Sequence, residues 1–236
     1  MSRTHKRNAA LAPVLILLTF LRADAAKSEA GETSRLHGST SAQVEAILSP
    51  THAHGLRFDT LASLSEAVLP QLARALNDPS EKQRWLNALT AIGVIGGARS
   101  QSVIEEFIWG RFKGELDIDT FRAMMIAVEA LGWSKSGPTT EALKQLTDGT
   151  NPEHWRSLPW THTIAGSPDY ARVILSEVAI NGLSYTGTAS AESTLISLSR
   201  SPHHRRQVGN IEEGLIRNRA VRERGLRACW GEGKSK

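Results

Sequence analysis

The stretch "GTNPEHWRSLPWTHTIAGSP", Gly149 to Pro168, gathers the side chains best suited to recognition. Trp155 and Trp160 stand close together, flanked by His154, Arg156 and His162. Tryptophan and arginine are enriched in binding hot spots, where a large rigid group buries much area at small entropic cost. Catalytic patterns fall short elsewhere. Gly182-Leu183-Ser184-Tyr185-Thr186 is a near miss to G-x-S-x-G, because Thr186 replaces the second glycine and the strand of a nucleophile elbow is missing. Ser184 therefore reads as a loop residue between helices. His52 and His54 could face one metal from an extended segment, but no third ligand is indicated. His203-His204-Arg205-Arg206 reads as a polar turn between helices. H-E-x-x-H, P-loop and EF-hand spacings are all missing. The sequence assigns no catalytic residue, no metal ligand and no cofactor. The alternative reading is a small exported hydrolase or lyase-like enzyme, with His154, His162 and Ser184 under a 149–168 loop.

What must position that loop is a set of helices. Prolines 152, 159 and 168 and glycines 149 and 166 bar a regular helix across it. A loop of this length inside a compact domain is uncommon and often functional. Its competing role is packing, with the two indole rings sealing the open end of the domain. Around it, "LPQLARALNDPSEKQRWLNALTAIGVIGG" shows two apolar faces at helical spacing: Leu69, Leu72, Ala73 and Leu76, then Leu86, Leu89, Ile92 and Gly93. Asn77-Asp78-Pro79-Ser80 turns the chain between them, and Gly96-Gly97 ends the second helix. The pattern recurs. Gly93, Ile104 and Phe107 align with Gly132, Leu143 and Leu146 at a shift of 39, and Gly182 follows Gly132 at a shift of 50. The extra residues in the longer shift fall in 149–168. The register places Trp85, Met124 and Ile174 in equivalent core positions, with Met125 also in the core. Leu89 and Val128 belong to the same core.

The first unit resembles a HEAT repeat of the bacterial type. Pro70, Asp78 and Arg84 match that family's proline, aspartate and basic positions, and Ala91-Ile92-Gly93-Val94-Ile95-Gly96 is similar to its ending. The unit ending in Ala130-Leu131-Gly132 keeps the two helices but lacks the proline and the basic match. "TTEALKQL" and "DYARVILSEVAINGLSYTG" keep apolar spacing and glycines only. The resemblance covers residues 58 to 200. It implies an all-α fold, a short right-handed α-solenoid of about 3–4 stacked helix pairs of HEAT/armadillo type. It also implies structural roles for Asp78 and Arg84. Bilin lyases of cyanobacteria carry HEAT-like repeats too, but the export signal described next sets this chain apart from them.

The chain opens with Arg3, Lys6 and Arg7, then an apolar run from Ala9 to Leu21, then Ala23-Asp24-Ala25. This is the order of a secretory signal peptide, and the run is shorter than the about 20 residues a membrane span needs. Removing Arg3, Lys6, Arg7 and Arg22 against Asp24 leaves 24 basic and 23 acidic side chains. A near-neutral mature chain does not fit general nucleic-acid binding. With Cys229 as the single cysteine, no internal disulfide forms.

The expected organisation is a signal peptide over 1–25 and a flexible segment with a short helix over 26–57. A HEAT-like domain follows over 58–209 with the 149–168 insertion, then a basic capping helix and tail over 210–236. Arg217, Arg219, Arg222, Arg224 and Arg227 make that last helix basic, which suits weak contact with an anionic envelope surface. The functional expectation is an exported, periplasmic or secreted, non-enzymatic scaffold. It binds another protein through Trp155, Trp160, Arg156, His154 and His162, and is not an integral membrane protein after cleavage.

Overall fold

The computed structural model describes residues 40–49, 56–111, 117–135, 138–147 and 168–230, and among these the regular structure is entirely helical. In chain order the α-helices are α1 (Thr40–Leu48), α2 (Phe58–Ala62), α3 (Leu69–Asn77), α4 (Lys82–Ile95), α5 (Gly97–Arg111) and α6 (Ile118–Trp133). They continue with α7 (Thr139–Thr147), α8 (Pro168–Thr186), α9 (Ala189–Arg200), α10 (Val208–Arg224) and α11 (Leu226–Cys229).

Their boundaries follow from local chemistry. Pro70 sits in the first turn of α3, where its missing N–H costs nothing. Asp78 then turns the chain: its Oδ1 accepts hydrogen bonds from Ser80 N at 2.9 Å and Ser80 Oγ at 2.6 Å. Asp117 caps α6 by accepting from Thr120 N at 2.8 Å, and Thr188 caps α9 by accepting from Ala191 N at 3.1 Å. Gly96 and Gly97, at φ 74° and 84°, carry the chain out of α4 through the left-handed region that other residues avoid.

Four helices, α4, α6, α8 and α10, pack side by side in sequence order. Each also packs against the helix before it, so α3, α5, α7 and α9 lie against α4, α6, α8 and α10 in turn. The recurring glycines explain how the inner helices approach. A Cβ on Gly132 would stand 2.1 Å from the Gly182 carbonyl oxygen, and one on Gly93 would stand 2.8 Å from the Ala130 Cβ. Only glycine permits backbone contact this close. These contacts join the C-terminal halves of successive helices, so α4, α6 and α8 run in the same direction.

The interior is built on the aligned apolar positions. Trp85, Met124 and Ile174 are buried, as are Leu89, Val128 and Met125. In α4 the buried face is Trp85, Ala88, Leu89 and Ile92, with Leu86 only half-buried; in α3 it is Leu69, Leu72, Ala75 and Leu76, with Ala73 at its margin. Both shifts have a physical reason. Trp85 fills more volume than Leu86 and its Nε1 donates to the Ala75 carbonyl at 2.9 Å, closing the end of α3. Arg111 reaches the same helix end, donating from Nη2 to Leu76 O at 2.9 Å, with its guanidinium 4.6 Å from the Trp85 ring centre.

The C-terminal end of the described chain returns to α2 and α6. Gly225, at φ 83°, ends α10 and turns α11 back toward α2. Trp230 packs 4.7 Å from Trp133 and 5.1 Å from Phe58, centre to centre, and Arg227 Nε lies 2.8 Å from Asp59 Oδ1. Helix α1 packs on α4, with Val44, Ile47 and Leu48 in the core.

Candidate functional site

His154, Trp155, Arg156, Trp160 and His162 lie outside the described residues, as do His52, His54 and residues 1–25. The structure does describe the two ends from which the 149–168 segment departs. α7 finishes at Thr147, a buried residue whose Oγ1 donates to Lys144 O at 2.8 Å. The Thr147 carbonyl accepts a hydrogen bond from Ser176 Oγ of α8, which ties the end of α7 to the helix that follows the insertion. Ala171 and Leu175 of α8 are fully buried. The two helices on either side of the segment, α7 and α8, are thus fastened to each other.

Ser184 is part of α8 and not of a loop. Its side chain is fully buried, and its hydroxyl donates to Asn181 O at 2.6 Å. The glycine two positions earlier does not break the helix, because Gly182 is there for the close approach to Gly132. Among the described residues no base meets this buried hydroxyl, whose contacts are to its own helix and to Arg217 of α10. His203 and His204 lie in a 3-10 turn, Pro202–Gln207, that leads into α10. His203 is exposed; His204 is buried, with Nδ1 2.6 Å from Gln207 Oε1.

The seam between α8 and α10 carries the densest polar chemistry. At its N-terminal end is Glu177, whose carboxyl is pushed up by burial while the Gln207 amide opposes the shift. In its middle, Arg217 Nη1 donates to Asn181 Oδ1 at 3.1 Å and to Ser184 Oγ at 3.3 Å, and the guanidinium lies 5.0 Å from the Tyr185 ring centre. Below, Asn218 Nδ2 donates to Leu183 O at 3.0 Å and Thr186 Oγ1 at 3.2 Å, sealing the end of α8. On the outer side, Arg219 and Arg222 share Glu192, whose carboxyl both guanidinium groups hold below the usual carboxylate range. The basic face of α10 is thus largely committed to contacts within the chain.

Two of the charges singled out from the sequence occupy structural positions. Asp78 makes the turn after α3, and the Ser80 hydroxyl and N–H hold its carboxyl down. Arg84 lies 3.3 Å from Glu81 and 3.4 Å from Glu45. Among the described residues no group of three or more His, Cys, Asp or Glu side chains could hold a metal ion. Among them, too, no helix is long and apolar enough to cross a membrane. Sequence reasoning missed the Asn181–Tyr185–Arg217 arrangement. The signal available was weak: Asn181, Ser184 and Tyr185 are spaced to share one helix face, but their partner lies on another helix.

No family model, curated protein or solved structure matches the chain.

Proposed function

We propose that this chain is an exported, non-enzymatic scaffold, a HEAT-like right-handed α-solenoid that binds another protein through residues of the 149–168 segment. The observation that carries the reading is the serial packing of α4, α6, α8 and α10, each backed by the helix before it. Pairs stacked in sequence order bury the apolar faces that no single pair could bury alone, which is the physical logic of a solenoid. Such a framework tolerates an insertion between two helices of a pair, because the helices that flank it are held to each other, here by the Ser176–Thr147 hydrogen bond. The burial of Ser184 and the structural use of Asp78 and Arg84 leave recognition as the better role for the insertion. The signal-peptide pattern of residues 1–25 supports a place for this activity outside the cytoplasm.

The test is a paired capture from the cell-envelope fraction, with the mature chain and its Trp155→Ala/Trp160→Ala variant as baits. The reading expects one protein bound by the parent chain and lost with the variant, at equal melting temperature. A partner retained by the variant would remove the insertion from the binding site.

A further inference from the structure

Arg219, Arg222 and Arg227 meet carboxylates: Arg219 Nε lies 2.6 Å and Arg222 Nη2 2.7 Å from Glu192, and Arg227 Nε 2.8 Å from Asp59. Arg217 differs. It is half-buried, and every group that orients it is neutral: the Asn181 amide oxygen, the Ser184 hydroxyl and the Tyr185 ring. Among the described residues no carboxylate lies within ion-pair distance of it. Glu213, one turn earlier on α10, is exposed and stays out of reach. A guanidinium is therefore fixed in place with its charge uncancelled, although partial burial makes an unpaired charge costly.

The unused edge of the group shows what it is set up to hold. Both hydrogen bonds are made by Nη1. Nε–H and Nη2–H form the parallel fork that grips a carboxylate at two points. Among the described residues neither has a hydrogen-bond partner, and neither is among the polar atoms sealed from solvent without one. We infer that Arg217 anchors a carboxylate-binding site on the α8–α10 seam, and that its ligand is an acidic side chain presented by a partner polypeptide. A single cation at an open seam contributes little toward a free small anion in water. Useful affinity then needs the flanking contacts that a polypeptide brings. The inference rests on reading the chain as a protein-binding scaffold, but it names residues other than 149–168.

The test follows the Arg217 Nε–Hε resonance of the full mature chain by nitrogen-15 NMR, with Arg217→Lys supplying the assignment. The probes are a hexaglutamate peptide and glutarate. The expected result is a saturable shift of Arg217 with the peptide, about tenfold tighter than with glutarate, while Arg219 and Arg222 do not move. Arg217→Lys, which keeps the charge but loses the fork, weakens the peptide about tenfold at unchanged fold by circular dichroism. A silent Arg217, or a shift that never saturates and is matched by exposed Arg205 and Arg206, overturns the site. Equal affinity for glutarate and peptide overturns the polypeptide source and leaves a small-carboxylate site. Because the probe is a defined peptide, failure of the Trp155/Trp160 capture does not affect this outcome.

Discussion

Gly132→Ala is the substitution that bears most heavily on the helix packing. The added methyl would stand 2.1 Å from the Gly182 oxygen, 2.7 Å from its carbonyl carbon and 2.8 Å from its Cα. All three atoms are backbone, so no side chain can rotate aside, and α6 and α8 must separate. Overpacking of this kind costs about 1–3 kcal/mol and sometimes more. Helix propensity works the other way, favouring alanine by about 1 kcal/mol. Contact with a rigid backbone puts the strain at the upper end, so the net loss comes to about 2 kcal/mol or more. In a chain of this size that lowers the melting temperature by about 4–12 °C. Gly110→Ala is the internal control, since a Cβ at Gly110 in α5 meets nothing within 4 Å. It gains the propensity term alone and melts at or above the parent. Thermal unfolding followed by circular dichroism reads both. A Gly132→Ala protein as stable as the Gly110→Ala protein would refute the close approach of α6 and α8.

Leu89 is fully buried, so Leu89→Ala costs about 2–5 kcal/mol in denaturant unfolding, whereas exposed Ile216→Ala changes stability by less than about 0.5 kcal/mol. Similar losses at the two positions would put the register of α4 in error. Asp117 is pushed down to about 2 by the Lys82 ammonium and the Thr120 N–H. A depressed carboxyl stabilises the fold above its ordinary value near 3.8 and loses that contribution as pH falls toward 2. Asp117 is half-exposed, so screening keeps the effect below about 1 kcal/mol. Asp117→Asn, which can still cap α6, removes that part of the acid dependence; an unchanged pH profile would mean the Lys82 pair contributes nothing.

The core of this fold was legible because large apolar residues recur at matched positions. Trp85, Met124 and Ile174 align in the sequence and are all buried. Finer register was not legible. Leu86 is as apolar as its neighbour, and only the volume of Trp85 and its bond to Ala75 O decide which turns inward. Gly182 misled in another way. A glycine can mark a helix end or a close contact, and periodicity does not separate the two, so α8 runs through Ser184 to Thr186. Arg217 was one of five arginines in a basic tail. What distinguishes it, three neutral groups of α8 and no carboxylate among the described residues, exists only once two helices distant in sequence are packed.

The role of Trp155 and Trp160 is tested most directly by acrylamide quenching of the free mature chain against its Trp155→Ala/Trp160→Ala variant, the difference isolating these two rings, read beside the melting curve of that variant. Binding anchors predict open quenching and an unchanged melting temperature. Protected rings, together with the loss of about 3–5 kcal/mol that truncating a buried tryptophan brings, would contradict the account and make the insertion part of the packing.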